Sequence, residues 1–592
     1  MKKIFAMMLL AVPLLSAAQG RTAADGAYIL NEDWFGHNNS TLNFWNLKEG
    51  YVDYLLIKNA NRETEGINSL GCTSQYAQIY GDRLYAMSKQ DQDSGEKAYT
   101  GGRFVIVNLN DMKVEKGFAT LATNASGVSL ADGRACLAVS PDKIYLGSSN
   151  GIYVYDVAEG KISATPIKGT ENEMITGDED RGEGLGALYN NQIGNMLRGQ
   201  QYVFAVKEDH GVLVIDPEDD TIVTTIPGCF SAMVQSADGN IWVGMNVATG
   251  TDADGNRLDH YPYGTSAGEG WNGTRLMCID QYSLDTHTVD LKAGGIPQSW
   301  YAWTAGSFAA HPRKNILYYV YSDPSAGRPS WFSAGALYRY DIDKGTQAKV
   351  CDLTEYGIHF YSSGLRVNPV DGLLYGYYYS GGISSNTWGY FTIEDDGSDE
   401  LVTDNETSLI SNYWYPAMVI FPDTEAPVVA SPDKVVVHGT PVTIDLDALV
   451  SDADTPPASI IKTIKTVADP AVASATLERG KLVVNGLGVG TTSVTVEYDA
   501  GGKFATAVFD VDVVKTSGID DISDADELLA LANGSLCANC AGRVEVFSPA
   551  GSMLRAGAVF PEAPLALDGV TGPVIVKFTT SKSVHIYKYI LQ

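Results

Sequence analysis

Seven of the nine tryptophans of this chain fall in long polar stretches between short apolar strands: Trp34, Trp271, Trp300, Trp303, Trp331, Trp388 and Trp414, with Phe35 and Phe332 beside two of them. Indole and phenyl faces offer broad apolar surface with a polar edge. Several of them gathered at one place suit a sugar chain, a tetrapyrrole-like ring or a peptide. Long loops also fold back on their own aromatic residues as a miniature core, and for any single tryptophan the two readings weigh evenly. The group favours a ligand wall. Trp45 and Trp242 lie on strands and are expected to be core.

Other side chains point to further chemistry. In Asp252-Ala-Asp254-Gly-Asn256-Arg-Leu-Asp259, oxygen ligands alternate around a glycine, as in loops that wrap Ca²⁺. Tyr263 stands where such a loop would supply its bidentate glutamate, so a polar Asx-type turn is the competing reading. Asp452-Ala-Asp454 offers the same choice on a smaller scale. Glu32, Asp33, Glu208 and Asp209 could serve as acid and base in a hydrolase or lyase. The stretch from Lys168 to Asn191 is dense in carboxylates, which reads as a solvated lid, with a cationic ligand group as the sharper alternative. His37, His210, His260 and His359 come from four different repeats, so a converging metal site is open and solvent exposure is the default. No nucleophile elbow on a strand-to-helix turn, phosphate loop or His-Glu-x-x-His stretch appears in the propeller, which removes the easily recognised catalytic classes.

These residues are positioned by a repeated unit. Strands ending on Asn46, Asn108, Asp156, Asp216, Asp280, Asp341 and Glu394 each follow a first apolar strand, and most first strands are preceded by a third strand and a tight turn such as Ser140-Pro-Asp-Lys143 or Ala237-Asp-Gly-Asn240. The unit is inner strand, turn, second strand, loop, third strand, turn, outer strand. The first copy lacks its inner strand, and a spare one stands at Ala417 to Phe421. If that strand completes the first copy, a ring of seven closes with no open edge there. The expected fold is all-β: a seven-bladed β-propeller over 24–422. Its short turns share one face and its long loops share the other, so the chemistry gathers at one mouth.

Beyond a linker near Asp423, residues 428–515 alternate apolar and polar residues in short strands, as an immunoglobulin-like β-sandwich does. A small C-terminal β-domain is expected over 523–592. Residues 1–20 read as a secretory signal peptide: Met1-Lys-Lys, an apolar run from Ile4 to Leu15, then Ser16-Ala-Ala18. No cysteine stands near that cleavage point, so the expectation is an exported protein, extracellular, at the outer-membrane surface or periplasmic, and not a lipoprotein. A formal charge of −30 argues against a nucleic-acid partner. Cys136, Cys278 and Cys351 read as buried thiols, and Cys537-Ala-Asn-Cys540 as a local disulfide.

The opening Gly26-Ala-Tyr-Ile-Leu-Asn-Glu-Asp-Trp-Phe-Gly-His-Asn-Asn-Ser-Thr-Leu-Asn-Phe44 resembles the start of YncE-like, surface-layer-type propellers of Bacteroidetes. The best understood of these captures cobalamin and hands it to an outer-membrane transporter. The resemblance implies a binder without turnover, a cobalamin-like cofactor or glycan as ligand, and a transporter as partner. The tail, from Gly518-Ile-Asp through Arg543-Val-Glu-Val-Phe547 and Gly572-Pro-Val-Ile-Val-Lys577 to Leu591, resembles the sorting domain of type IX secretion, which implies the secretion machinery as a partner. The reading that results is a non-catalytic surface binding protein, with Ca²⁺ as a possible ion. A polysaccharide hydrolase or lyase and an adhesion protein are the alternatives.

Overall fold

The computed structural model describes residues 20–33, 35–123, 127, 129–171, 192–207, 210–228, 230–245, 275–291, 308–320, 335–353, 357–360, 364–380, 387–396, 401–406, 415–514, 528–532 and 534–591. Between Gly26 and Ile420 these residues form six four-stranded antiparallel sheets and one five-stranded sheet. Each is a meander. The sheet Cys72–Tyr80, Arg83–Gln90, Phe104–Asn108 and Val114–Phe118 is representative: its inner strand is buried along almost its whole length, and its outer strand is half exposed. β-Branched and aromatic residues dominate because both faces of every inner and middle strand pack against a neighbouring sheet.

The ring closes where the chain begins. Pro416–Ile420 pairs antiparallel with Gly26–Asn31, in the register Tyr28↔Ile420, Ile29↔Val419 and Leu30↔Met418. Cores confirm the circle independently of the hydrogen bonds. One cluster runs continuously through the first four sheets, from Tyr28 and Phe44 to Leu213 and Ile215. Phe204 and Val206 meet Phe230 and Val243, Trp242 meets Tyr319 and Tyr340, and Tyr318 meets Phe360 and Phe391. Finally Trp45, Ala27 and Ile29 of the first sheet share a cluster with Tyr375, Trp388 and Tyr390 of the last. Sheets packed face to face around a circle make a β-propeller.

Inner strands surround an axial cavity of about 380 Å³, lined by Tyr76, Ile79, Leu197, Met233, Phe308, Val367, Met418 and Phe421, with Arg366 and Asp423 as its charged members.

Past the linker, two sheets enclose one aliphatic core. Val435–Val437, Lys503–Val513, Gly490–Ala500 and Ile461–Val467 form one, and Val442–Asp445, Lys481–Gly486 and Ala473–Glu478 the other. Alternation along Lys503–Val513 points Ala507, Phe509 and Val511 inward and Thr506 and Val508 outward. The last residues form a separate four-stranded sheet, Met553–Val559, Gly542–Phe547, Gly572–Thr579 and Val584–Leu591, beside a three-stranded one. Cys537 and Cys540 are free thiols rather than the expected disulfide. Cys537 is held in the ladder opposite Ala530, while Cys540, beyond the end of that strand, packs on the core.

The sandwich is seated across the turn face of the ring. On one side Gly81 donates its N–H to the Gly501 carbonyl at 2.7 Å, the Tyr80 hydroxyl donates to Asp499 Oδ2 at 2.6 Å, and Lys503 pairs with Asp82 at 2.5 Å. Elsewhere on the ring Lys462 N–H donates to Gln200 at 3.2 Å, Arg479 pairs with Asp280 at 2.7 Å, and Arg313 donates to the Ala453 carbonyl at 2.8 Å. Glycine is needed at this approach. A Cβ on Gly502 would stand 2.3 Å from the Gly81 nitrogen, and Gly81 and Gly502 both have positive φ.

Candidate functional site

With the turn face occupied by the sandwich, the sequence-expected site lies at the other end of the ring, among the long loops. Of the residues expected to form its aromatic wall, Trp34, Trp271, Trp300, Trp303, Trp331, Phe332 and Trp414 lie outside the described residues, as do the calcium-loop residues Asp252, Asp254, Asn256 and Asp259. Phe35 is described and stands 67% exposed on the loop after Gly26–Asn31. Trp388 corrects the sequence reading. It lies within the strand Thr387–Ile393 opposite Tyr379, 2% exposed, edge-on to Tyr415 at 5.0 Å. Strand Thr387–Ile393 begins three residues before Tyr390, where the apolar pattern starts it, which places that indole in the seam between the last and first sheets. Phe360 is likewise core, on Ile358–Phe360. His359 shares that strand, while His37 and His210 are exposed on separate loops. Trp45 and Trp242 are buried, as core residues.

What the described mouth does contain is a girdle of buried charge between the first three sheets. Asp93 sits at its centre: Oδ2 accepts the Gly36 N–H and Oδ1 the Gly95 N–H, both at 2.7 Å, while the Asp93 N–H donates to Asn39 at 2.8 Å. Loops from two sheets are tied together by this one carboxylate. Beside it burial, and then the Asp93 charge, push the Cys72 thiol up to about 12, so Cys72 is an inert thiol at neutral pH. Lys58 and Glu96 form a buried pair at 3.0 Å, with the ammonium also donating to the Asn39 carbonyl. Burial would raise the Glu96 carboxyl, but the Ala98 N–H and the Lys58 ammonium outweigh it and hold the group below its ordinary value.

Farther round, Arg103 reaches Asp132 at 3.4 Å and the Ala131 carbonyl at 3.2 Å, and Arg134 approaches the same aspartate at 3.8 Å. Their side chains are 2% and 1% exposed. Gln75, on the inner strand Cys72–Tyr80, donates from Nε2 to Glu32 at 2.5 Å, while its Oε1 is buried without a hydrogen-bond partner among the described residues. Asp33 holds a left-handed φ of 65°, a conformation a non-glycine residue keeps only where its surroundings enforce it. Its carboxylate accepts from Thr41 at 3.1 Å. The rim near the first sheet is thus rich in acceptors.

Sequence reasoning missed Arg103, Arg134 and Arg366. Each had a signal. Gly102-Arg103-Phe104, Gly133-Arg134-Ala135 and Leu365-Arg366-Val367 place a guanidinium at the edge of or inside an apolar strand, where it must find partners on buried loops. No group of three His, Cys, Asp or Glu is arranged to hold a metal ion among the described residues. In particular Asp452 Oδ1 accepts the Asp454 and Thr455 N–H groups at 2.9 Å each, an Asx-type turn.

Compared with known protein families, residues 25–422 match one described as a domain of unknown function (DUF5074). The chain belongs to that family. The matched span coincides with the closed ring, so the DUF5074 domain is the propeller. No curated protein matches the chain. Among solved structures, a quinonprotein alcohol dehydrogenase-like protein from Bacteroides thetaiotaomicron is similar at 13% identity, covering 68% of this chain and 79% of that one with a TM-score of 0.43. Extracellular domains of a putative hybrid two component system and a putative one component system from the same organism show 10% and 12% identity, each covering 83% of this chain, with TM-scores of 0.36. This chain spans 55% and 57% of their lengths. Likeness at that level says nothing of ligand or activity for the DUF5074 chain.

Proposed function

We propose that this chain is an exported surface protein whose seven-bladed propeller captures a nutrient ligand, cofactor-like or glycan, at its mouth. The observation that carries this reading is the asymmetry of the ring. Four sheets contribute turns or ion pairs to the seat of the sandwich, so that end is committed to an internal contact and a ligand approaches from the other. The buried girdle of Asp93, Lys58, Glu96, Arg103 and Asp132 supports it, because it braces the mouth loops of the first three sheets, including the one that carries Phe35. On this reading the sandwich is an immunoglobulin-like spacer, the C-terminal domain is the handle for secretion, and a transporter or the secretion machinery is the partner.

The test is calorimetric titration of the full chain with corrinoids, haem and oligosaccharides, each with and without Ca²⁺. Trp34→Ala, Trp271→Ala, Trp303→Ala and Trp331→Ala should each weaken binding by roughly one to two decades where that indole is a contact. Loop variants that bind as the parent does, or an oligosaccharide that is cleaved during titration, would overturn the reading.

A further inference from the structure

Asp423 stands where the ring ends and the linker begins, and its side chain lines the turn end of the axial cavity. Asp452 and Asp454, on the sandwich loop that also contacts the ring through Ala453, line a second cavity of about 530 Å³ with Thr22, Pro422 and Glu425. Pro422 and Thr424, on either side of Asp423, line the same cavity as Asp452 and Asp454, so the three acids gather at one joint. Asp423 Oδ1 and Asp452 Oδ2 are buried with no hydrogen-bond partner among the described residues. An ionised carboxylate only accepts, so two carboxyls can hydrogen-bond only when one of them carries a proton.

We propose that Asp423, Asp452 and Asp454 form a proton-locked joint that holds the sandwich on the turn face of the propeller and loosens when the last shared proton leaves. This goes beyond ligand capture at the mouth and stands without it. Burial, then the neighbouring Asp452 charge, raises Asp423 from 3.8 to about 7. Burial, then the bond from Asp452 and the Asp423 charge, raises Asp454 to about 8. The other charged groups facing the joint are Lys503, which favours ionisation of Asp423, and Asp499, which opposes it. Lys503 is itself engaged by Asp82 at 2.5 Å, so its help is shared. Arg313 neutralises no carboxylate of the three; it donates to the Ala453 carbonyl and, at 3.3 Å, to that of Val370. From the linker, Glu425 adds negative charge on the second cavity.

The sign follows from the raised values. The seated state binds more protons than the separated one, so the carboxyls contribute stability that is fully present below 3.8 and is lost as pH rises through about 7 to 8. Loosening therefore comes on the alkaline side, and with it access to the turn end of the cavity.

Hydrogen exchange of the full chain tests this, corrected for the intrinsic pH dependence of exchange. The reporters are the Gly81 and Lys462 amides, which donate across the seat, against the core amide of Val105. Between pH 6 and pH 9 protection at Gly81 and Lys462 should fall at least about tenfold, the equivalent of one unit of linked pKa, while Val105 is unchanged. Asp423→Asn with Asp454→Asn, which mimics the neutral carboxyls, should flatten that pH dependence, and Asp454→Asn alone should reduce it. Arg479→Ala, which removes a fixed ion pair of the seat, should lower protection by the same factor at both pH values. Equal protection at pH 6 and pH 9 in the parent, an undiminished fall in the Asn variants, or a fall shared by Val105 would each overturn the joint.

Discussion

At the turn end of the propeller, adjacent strands are joined by a few residues and the connections are dictated by backbone geometry. Gly81 is at φ 61° and Gly239 at φ 86°, and their neighbours meet the sandwich through main-chain groups and half-exposed ion pairs such as Arg479 with Asp280. At the mouth end the same ladders finish in long loops, and the described part is tied by buried charge: Lys58 with Glu96, Arg103 with Asp132. The difference teaches where each kind of interaction belongs. A short turn has its groups satisfied within the hairpin and offers a stiff surface for a neighbour. A long loop carries many backbone groups that the sheet cannot satisfy, and side chains such as Asp93 and Asn39 must do so.

The comparison breaks first if the ring is not a closed cooperative unit. Removing residues 416–420 leaves Gly26–Asn31 with an open edge and should abolish the cooperative unfolding of the propeller in a denaturant titration. A shortened chain that melts as the parent does would show that neither end depends on closure.

A smaller effect separates seam aromatics from mouth aromatics. Trp45, packed against Tyr375 and Tyr390 at 5.7 and 5.5 Å, should cost about 3 to 5 kcal/mol on replacement by alanine. Phe35→Ala, on the exposed rim, should change stability by less than about 0.5 kcal/mol. Equal losses in denaturant midpoint would mean that Phe35 is packed and the rim is core.

The smallest contrast sets one charge pair against another. Arg103→Ala leaves Asp132 buried with only the more distant Arg134, and should destabilise by about 2 to 3 kcal/mol with little dependence on salt. Arg479→Ala, at a pair 60% and 30% exposed, should cost no more than about 1 kcal/mol and less still in high salt. Parallel urea titrations at two salt concentrations decide this, and a large Arg479 effect would make the seat the better anchored end.

Much of the architecture was legible in the residues. Period-two apolar runs closing on Asn, Asp or Glu marked the strands, Pro-Asp and Asp-Gly dipeptides marked the turns, and the orphan strand at 417–421 marked the closure, because each is a local consequence of backbone sterics and side-chain alternation. The site was less legible. Trp388 was misread as a loop residue because Ser385, Asn386 and Thr387 before it look like loop, whereas its partner Tyr379 lies on the strand that only pairing reveals. Arg103 and Asp132 are far apart in the chain, and nothing local to either says that it will be buried.

By itself, then, the sequence determined the all-β character of this protein, the order of its strands and turns, and the strand that must complete the first sheet, since these rest on periodicity and on φ values set residue by residue. Tertiary structure alone decided which face the second domain covers, that Asp423, Asp452 and Asp454 gather at the joint between the domains, and that the described mouth is floored by paired charges. Those outcomes depend on groups tens to hundreds of positions apart being brought together, and burial, which turns such meetings into large energies, exists only once the chain has folded.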